Sequence, residues 1–203
     1  EFICSGRLDD LSMVHASLHS ICEKASVASE ATRVMAVFDN EETGSGTKQG
    51  AGSPVLEHIF RRIVLAKGGS EEDFMRAVAS SFMISADNGH AIHPNYEHDP
   101  TNHPVLGGGP CVKINANCKY MTDAESAAVF SNICELAGVP CQYFVNHSDA
   151  AGGSTLGNIL TSQLPLRGVD MGAPLWAMHS VRETASVADH DATIKVFSKF
   201  YEL

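Results

Sequence analysis

The chain has 203 residues and 21.7 kDa, with 14 Lys and Arg against 24 Asp and Glu, a formal net charge of -10. That balance argues against a nucleic-acid surface or an anionic-membrane binder, both of which need clustered Lys and Arg. With 44% hydrophobic and 19% charged residues the composition is globular, the length suits one domain with a substantial core, and no apolar run is long enough to span a bilayer.

Helical and strand signals alternate along the chain, which predicts an α/β domain. Leu11, Val14, Leu18 and Ile21 recur at helical spacing and predict a helix from Asp9 to Ala25. An apolar β-type run, Arg33–Phe38, reads as a strand. Ser53-Pro54 reads as N-cap and first helical residue, opening a helix with Leu56, Ile59 and Ile63 on one face and closed by Gly68-Gly69. Ser70 with Asp73 marks another helix start, followed by a short strand, Phe82–Ala86. The His-, Asn-, Pro- and Gly-rich stretch Asp87–Gly109 reads as a long functional loop. Cys111–Asn115 alternates as a strand. Thr122-x-x-Glu125 predicts a capping box for a helix ending at Gly138. Cys141–Val145 reads as a strand, Ser154–Leu164 as a helix behind Gly152-Gly153, and Asp189–Tyr201 as a final helix.

The six cysteines, Cys4, Cys22, Cys111, Cys118, Cys134 and Cys141, form no CxxC pair. They read as buried free thiols of a reducing compartment, which with the absence of a signal-peptide pattern points to the cytoplasm. The chain opens at Glu1-Phe2-Ile3 without Met, and a motif begins within ten residues, so it reads as the end of something longer.

The chemistry concentrates in a few segments. Glu41 and Glu42 follow the Arg33–Phe38 run and lead into Thr43-Gly44-Ser45-Gly46. In an extended segment adjacent side chains point in alternate directions, so one carboxylate can bind a metal while its neighbour acts as general base. The same pair can also be an acidic pair on a solvated turn. Asp9 and Asp87 lie beside element boundaries and His179 in a loop near the C-terminus, where an α/β sheet gathers ligands. Each has an ordinary alternative: Asp9 as a helix N-cap, Asp87 as a turn cap, His179 as a satisfied core histidine.

Arg7-Leu8-Asp9-Asp10, Asp39-Asn40-Glu41-Glu42-x-Gly44-Ser45, Ser85-Ala86-Asp87-x-x-His90-x-x-His93-Pro94-Asn95-Tyr96, Gly109-Pro110-x-x-Lys113-x-Asn115 and Ala177-Met178-His179-Ser180-x-Arg182-Glu183 occur in this order. In order and spacing they resemble the aspartyl aminopeptidases, co-catalytic zinc exopeptidases, over essentially the whole chain. The resemblance implies a three-layer α/β/α sandwich with a mixed sheet and a site for two zinc ions. It implies Asp9 as the bridging ligand, Glu42 and His179 on one zinc, Asp87 on the other, and Glu41 as general base. His90, Lys113 and Tyr120 match positions lining the substrate pocket, with Lys113 a partner for an acidic side chain. The implied activity is removal of an N-terminal acidic residue from peptides, and the implied partners are peptide substrates and further copies of the chain. A carboxylate suits the bridging position because each oxygen can serve one ion, and carboxylate with imidazole suits zinc.

The family draws its remaining zinc-ligand His from an H-x-D segment ahead of an inserted dimerisation domain. No H-x-D segment stands ahead of Asp9 in this chain, which resembles the C-terminal catalytic half. Asp149–Thr155 is a looser version of the family's Gly-containing loop. Two other readings follow: a non-catalytic half-chain, and a related co-catalytic zinc hydrolase of neutral specificity. Lys113 and the Asp87–Gly109 loop favour the acidic one.

Overall fold

The protein is described by a computed structural model that covers residues 1–96, 104–147, 149 and 152–203. Its elements are β1 (Phe2–Ser5), α1 (Leu8–Glu23), α2 (Val55–Ala66), α3 (Glu71–Ser80), β2 (Phe82–Ala86), β3 (Gly89–His90) and β4 (Cys111–Ile114), followed by α4 (Ala124–Ala137), β5 (Gln142–Val145), α5 (Leu156–Thr161), β6 (Arg167–Gly172), β7 (Pro174–Trp176), β8 (Glu183–Ser186) and α6 (Val187–Phe200).

Two mixed sheets form, in the orders β2-β6-β4-β5 and β1-β8-β7-β3. Strands β2 and β6 run parallel, as do β4 and β5 and also β3 and β7, whereas β4–β6, β7–β8 and β1–β8 are antiparallel. The sheets are continuous along one seam. The amides of Asp87, Gly89 and Ala91 donate in turn to the carbonyls of Met171, Ala173 and Leu175, so the β2–β6 ladder passes into β3–β7 with a bend between. Asp87 and Asn88 sit at that bend.

Side-chain alternation along β2 places the three layers. Phe82, Ile84 and Ala86 pack into a cluster with Ala16 of α1, Phe130 and Ile133 of α4, and Val196 and Phe197 of α6, together with Val169 and Met171 of β6. Met83, between them in sequence, packs on the opposite side with Leu56 of α2, Phe74 and Val78 of α3, and Leu160 and Leu164. The α/β/α architecture with mixed sheets is therefore present, and Phe130, Val169, Met171 and Val196 at its centre are fully buried.

Several elements differ from the sequence expectation. Arg33–Phe38 pairs with no described strand: Val34 and Val37 are exposed, Phe38 packs toward Leu56 and Phe74, and the Arg33 guanidinium donates to the carbonyls of Lys24, Val27 and Tyr201. β-propensity marks a segment that fits a sheet, and a strand exists only where a partner edge meets it. The capping box before α4 is one residue later than predicted, between Asp123 and Ser126, while the helix start at Ser70 with Asp73 (a capping box) and the helix stop at Gly138 (left-handed) fall where expected. Helix α2 begins at Val55 with Pro54 as its cap residue. The short strands β1, β3, β6, β7 and β8 escape a periodicity reading, since β6 contains two glycines and β7 and β3 span three and two residues. Cys111 and Cys134 are buried free thiols and Cys141 is half-buried, but Cys4, Cys22 and Cys118 are exposed. Within the loop Asp87–Gly109, residues 97–103 lie outside the described residues, as do 148, 150 and 151 near the Asp149–Thr155 loop.

Gly172 lies against Asp87 and Asn88 at that bend: a Cβ there would overlap the Asp87 carbonyl oxygen. Gly172→Ala must push β2 from β6 or tilt the Asp87 peptide, an overpacking that costs about 1–3 kcal/mol. Denaturant unfolding of the variant measures it, and stability equal to wild type would show that the bend tolerates a side chain.

Candidate functional site

The loop Gly6-Arg7 carries the chain from β1 into α1, with Arg7 in the left-handed region (φ 63). Asp9 and Asp10 lie in the first turn of α1 but have non-helical dihedrals. The Asp9 amide donates to Glu183 Oε2 at 2.9 Å. Its carboxylate is not spent on capping the helix: Oδ2 stands 3.1 Å from His179 Nε2, and Oδ1 is buried without a hydrogen-bond partner.

His179 occupies a tight turn after β7 (φ 67), and its amide donates to Glu183 Oε1 at 2.6 Å. One buried carboxylate, Glu183, thus ties the backbones of Asp9 and His179 together, although 170 residues separate them. The imidazole is 61% exposed rather than a core group, and its Nε2 also stands 3.0 Å from Glu42 Oε1. Asp9, Glu42 and His179 consequently offer one ligand atom each within a 4.8 Å span.

Glu41 and Glu42 lie on a turn, not an extended segment: the Gly44 amide reaches back to the carbonyls of Asn40 and Glu41, and Asn40 has φ 62. The alternation argument for the pair therefore gives way to turn geometry, which still sends both carboxylates into the same cluster. Glu42 touches His179, while Glu41 is half-buried and its pKa is raised by burial and by the charges of Asp87 and Glu42.

A second group consists of Asp9, Asp10 and Asp87, again with ligand atoms within 4.8 Å. Asp87 follows β2 at the sheet bend and accepts from Lys113 Nζ at 2.7 Å, so its carboxylate does not serve as a turn cap. Burial, with the neighbouring carboxylates Asp87 and Glu42, lifts Asp9 to about 9. Burial and the charges of Asp87 and Asp9 raise Asp10 as well. Asp10 Oδ1 is a second buried oxygen without a partner. Buried, unpaired and mutually repelling carboxylate oxygens are what a divalent cation relieves. Imidazole with carboxylates suits zinc, and the all-oxygen group accepts harder ions as well. The residues present therefore fit a metal.

The sequence-predicted pocket residues surround this cluster. Lys113 is 3% exposed; burial works against its charge, but the carboxylate of Asp87 outweighs that and holds the ammonium above the usual lysine range. Its Nζ lies 5.7 Å from the ring centroid of buried Tyr120, whose phenol is raised by burial. His90, at the solvent edge, is lowered by desolvation and by Lys113 and His179, and its ring centroid is 6.3 Å from that of Phe144. His93 stands apart from both clusters, against Tyr96 and Trp176.

Sequence reasoning missed Asp10, Glu183 and Asp170. Asp10 was masked by its neighbour. Glu183 closes the His179 segment and is recognisable only once both amides it binds are placed. Buried Asp170 accepts from Ser85 Oγ at 2.5 Å, Thr155 Oγ1 at 2.6 Å and the Met121 amide at 2.6 Å. It joins β2, the start of α5 and the segment carrying Tyr120; a polar residue inside β6 is a signal only once β6 is known to be a strand.

Comparison with known proteins identifies the family. The family model described as aminopeptidase I zinc metalloprotease (M18) matches residues 1–201. Probable M18 family aminopeptidase 2 of Clostridium acetobutylicum is 52% identical over 205 residues, covering 100% of this chain and 47% of the relative. Aspartyl aminopeptidase 4 of Saccharomyces cerevisiae is 41% identical, covering 100% and 44%. The solved Ape4 and Nbr1 complex superposes with TM-score 0.94 at 34% identity, covering 100% of this chain and 39% of that one. The S. cerevisiae mApe1 dodecamer superposes with TM-score 0.84 at 28% identity, covering 99% and 46%. The chain spans about half the length of the curated relatives it matches. By sequence and by fold, the chain belongs to the M18 family of zinc aminopeptidases.

Proposed function

We propose that this protein is the catalytic part of a metallo-aminopeptidase that removes N-terminal, preferentially acidic residues from peptides through a two-metal site. The observation that carries the reading is the convergence of Asp9, Glu42 and His179 beside Asp9, Asp10 and Asp87. In it Asp9 would bridge two ions, Glu42 and His179 would complete one ligand set, and Asp87, joined by Asp10, would hold the other. The bound ions would polarise the scissile carbonyl and acidify the attacking water.

The remaining work falls to the chain. Glu41 is assigned as general base: its elevated pKa suits a carboxylate that accepts the water proton and passes it to the leaving amine. Its turn holds it next to the cluster without the His179 contact that Glu42 makes. Lys113, paired with Asp87 and beside Tyr120, places a permanent positive charge under the pocket, where an acidic side chain would be favoured over a neutral one. His90 at the rim would contact the substrate. The yeast aspartyl aminopeptidase supports the acidic preference, and the yeast dodecamer supports assembly with further copies of the chain. No described helix is long and apolar enough to cross a membrane. The six free cysteines support a reducing, cytoplasmic setting.

Glu41→Gln should cut turnover by about 10²–10⁴-fold, the range for a lost general base, while bound metal measured by elemental analysis stays at the wild-type level. Glu42→Gln should instead lose metal. The reverse pattern would exchange the two assignments.

Lys113→Met should lower kcat/KM for N-terminal Asp or Glu substrates more than for a Leu substrate, by roughly tenfold to hundredfold. Equal losses on all three would restrict Lys113 to neutralising Asp87 and favour a hydrolase of neutral specificity.

A further inference from the structure

Away from the carboxylate cluster, α1 presents His15, His19 and Cys22 in one stripe, the spacing His-x-x-x-His-x-x-Cys. Residues four and three apart on a helix are surface neighbours. With Leu18 and Glu23 they line an open groove on the outer side of α1. Helix α6 packs alongside, and its His190 meets His15 from a neighbouring cleft that His15 also lines. Nothing in the proposed peptidase chemistry uses these groups.

His15 Nδ1 stands 3.0 Å from His190 Nε2. Two ring nitrogens that face each other must share one proton, with the second lone pair pointing at the first. Nitrogens bound at about 2.0–2.1 Å to one tetrahedral zinc stand about 3.4 Å apart, so this pair is already near ligand spacing. His190 Nδ1 is buried with no hydrogen-bond partner. No outer contact therefore locks the tautomer, and the proton can move to Nδ1 and leave Nε2 as a donor atom. Desolvation and the neighbouring His15 imidazole lower the pKa of His190, with His19 adding to the effect and Asp191 opposing it. Neutral imidazole is the metal-binding form.

The third ring, His19, stands one helical turn from His15 and must turn to join the pair. The ring centroids of His15 and His19 are 6.2 Å apart and those of His15 and His190 are 5.1 Å apart. His19 is exposed, and an exposed ring changes rotamer within nanoseconds. Glu23 is already engaged with Ser198 and Lys24, which leaves the imidazoles as the free donors of the groove.

We propose that His15, His19 and His190 form a metal site for a divalent first-row ion of the zinc type, separate from the carboxylate cluster and bridging α1 to α6. Three imidazoles with an open fourth position make a common zinc donor set, and borderline-soft ions such as copper or nickel suit it as well. Cys22, one turn past His19 on the stripe, lines the same groove.

The test is a zinc titration of the intact protein after chelator treatment and dialysis. Retained zinc is counted by elemental analysis, and the histidine Hε1 resonances are followed by NMR. Wild type should retain one equivalent more than His19→Ala, an exposed position that leaves the fold alone, and one more than His15→Ala. Both variants should keep wild-type peptidase activity. In Glu42→Gln, which damages the carboxylate cluster, zinc should still shift the His15 and His190 resonances. Equal zinc retention in wild type, His19→Ala and His15→Ala, or imidazole resonances unmoved at saturating zinc, would overturn the proposal.

Discussion

The structure depends on bringing five carboxylates, Asp9, Asp10, Glu41, Glu42 and Asp87, to one sheet bend with one lysine and one imidazole in contact with them. Two like charges about 4 Å apart at an effective dielectric near 20 repel by about 4 kcal/mol. Side chains as buried as Asp9, Asp10 and Asp87 cannot escape this by moving into water. Lys113 relieves part of it, and burial with the neighbouring charges raises Asp9 and Asp10 toward the protonated form that would relieve more. The arrangement is a poor choice for stability alone, and such arrangements mark functional sites. Cations would offset the same repulsion without removing the carboxylates' charge, which under the proposed function would couple folding to metal binding.

Holding such a cluster together requires support that does not itself repel. The protein supplies it through backbone amides. Glu183 accepts from the amides of Asp9 and His179 and fixes two ligand segments with one side chain. Asn88 accepts from Ser12 Oγ and donates to the Ala173 carbonyl, so α1, the sheet bend and β7 share one fastening beside Asp87. The unbroken ladder from Asp87 to Ala91 adds a rigid rail. Asp9, Asp10 and Asp87 are thus held at helix and strand ends, while Glu42 and His179 are held on tight turns.

The sequence made much of this legible, and where it did not the reason is physical. Long amphipathic helices and the isolated apolar strand Phe82–Ala86 carry enough periodicity to be read, and α1, α3, α4, α6 and β2 fall within a residue or two of expectation. Arg33–Phe38 has strand composition without a described partner, because pairing belongs to the whole sheet. Strands β3 and β7 are held by register with each other, which no local pattern encodes. In the site, Asp9, Glu42, Asp87 and His179 were readable as motifs, and the structure brings all four together. Asp10 and Glu183 were not, since their roles depend on which amides and oxygens end up within reach.

The contrast between Glu41 and Glu42 follows from the same constraints. Adjacent glutamates on an extended strand would diverge to opposite faces. A turn lets both enter one cluster at different depths, Glu42 exposed enough to meet the exposed His179 and Glu41 half-buried near Asp87. Depth then separates their chemistry. The carboxylate in contact with the imidazole has a fixed partner and suits a ligand. The one raised by burial and by neighbouring charge, with no such partner, suits proton transfer, because its charged form is the less favoured one. Under the proposed function, adjacent residues of one type would thus take different duties from environment alone, through the turn at Asn40 and Gly44.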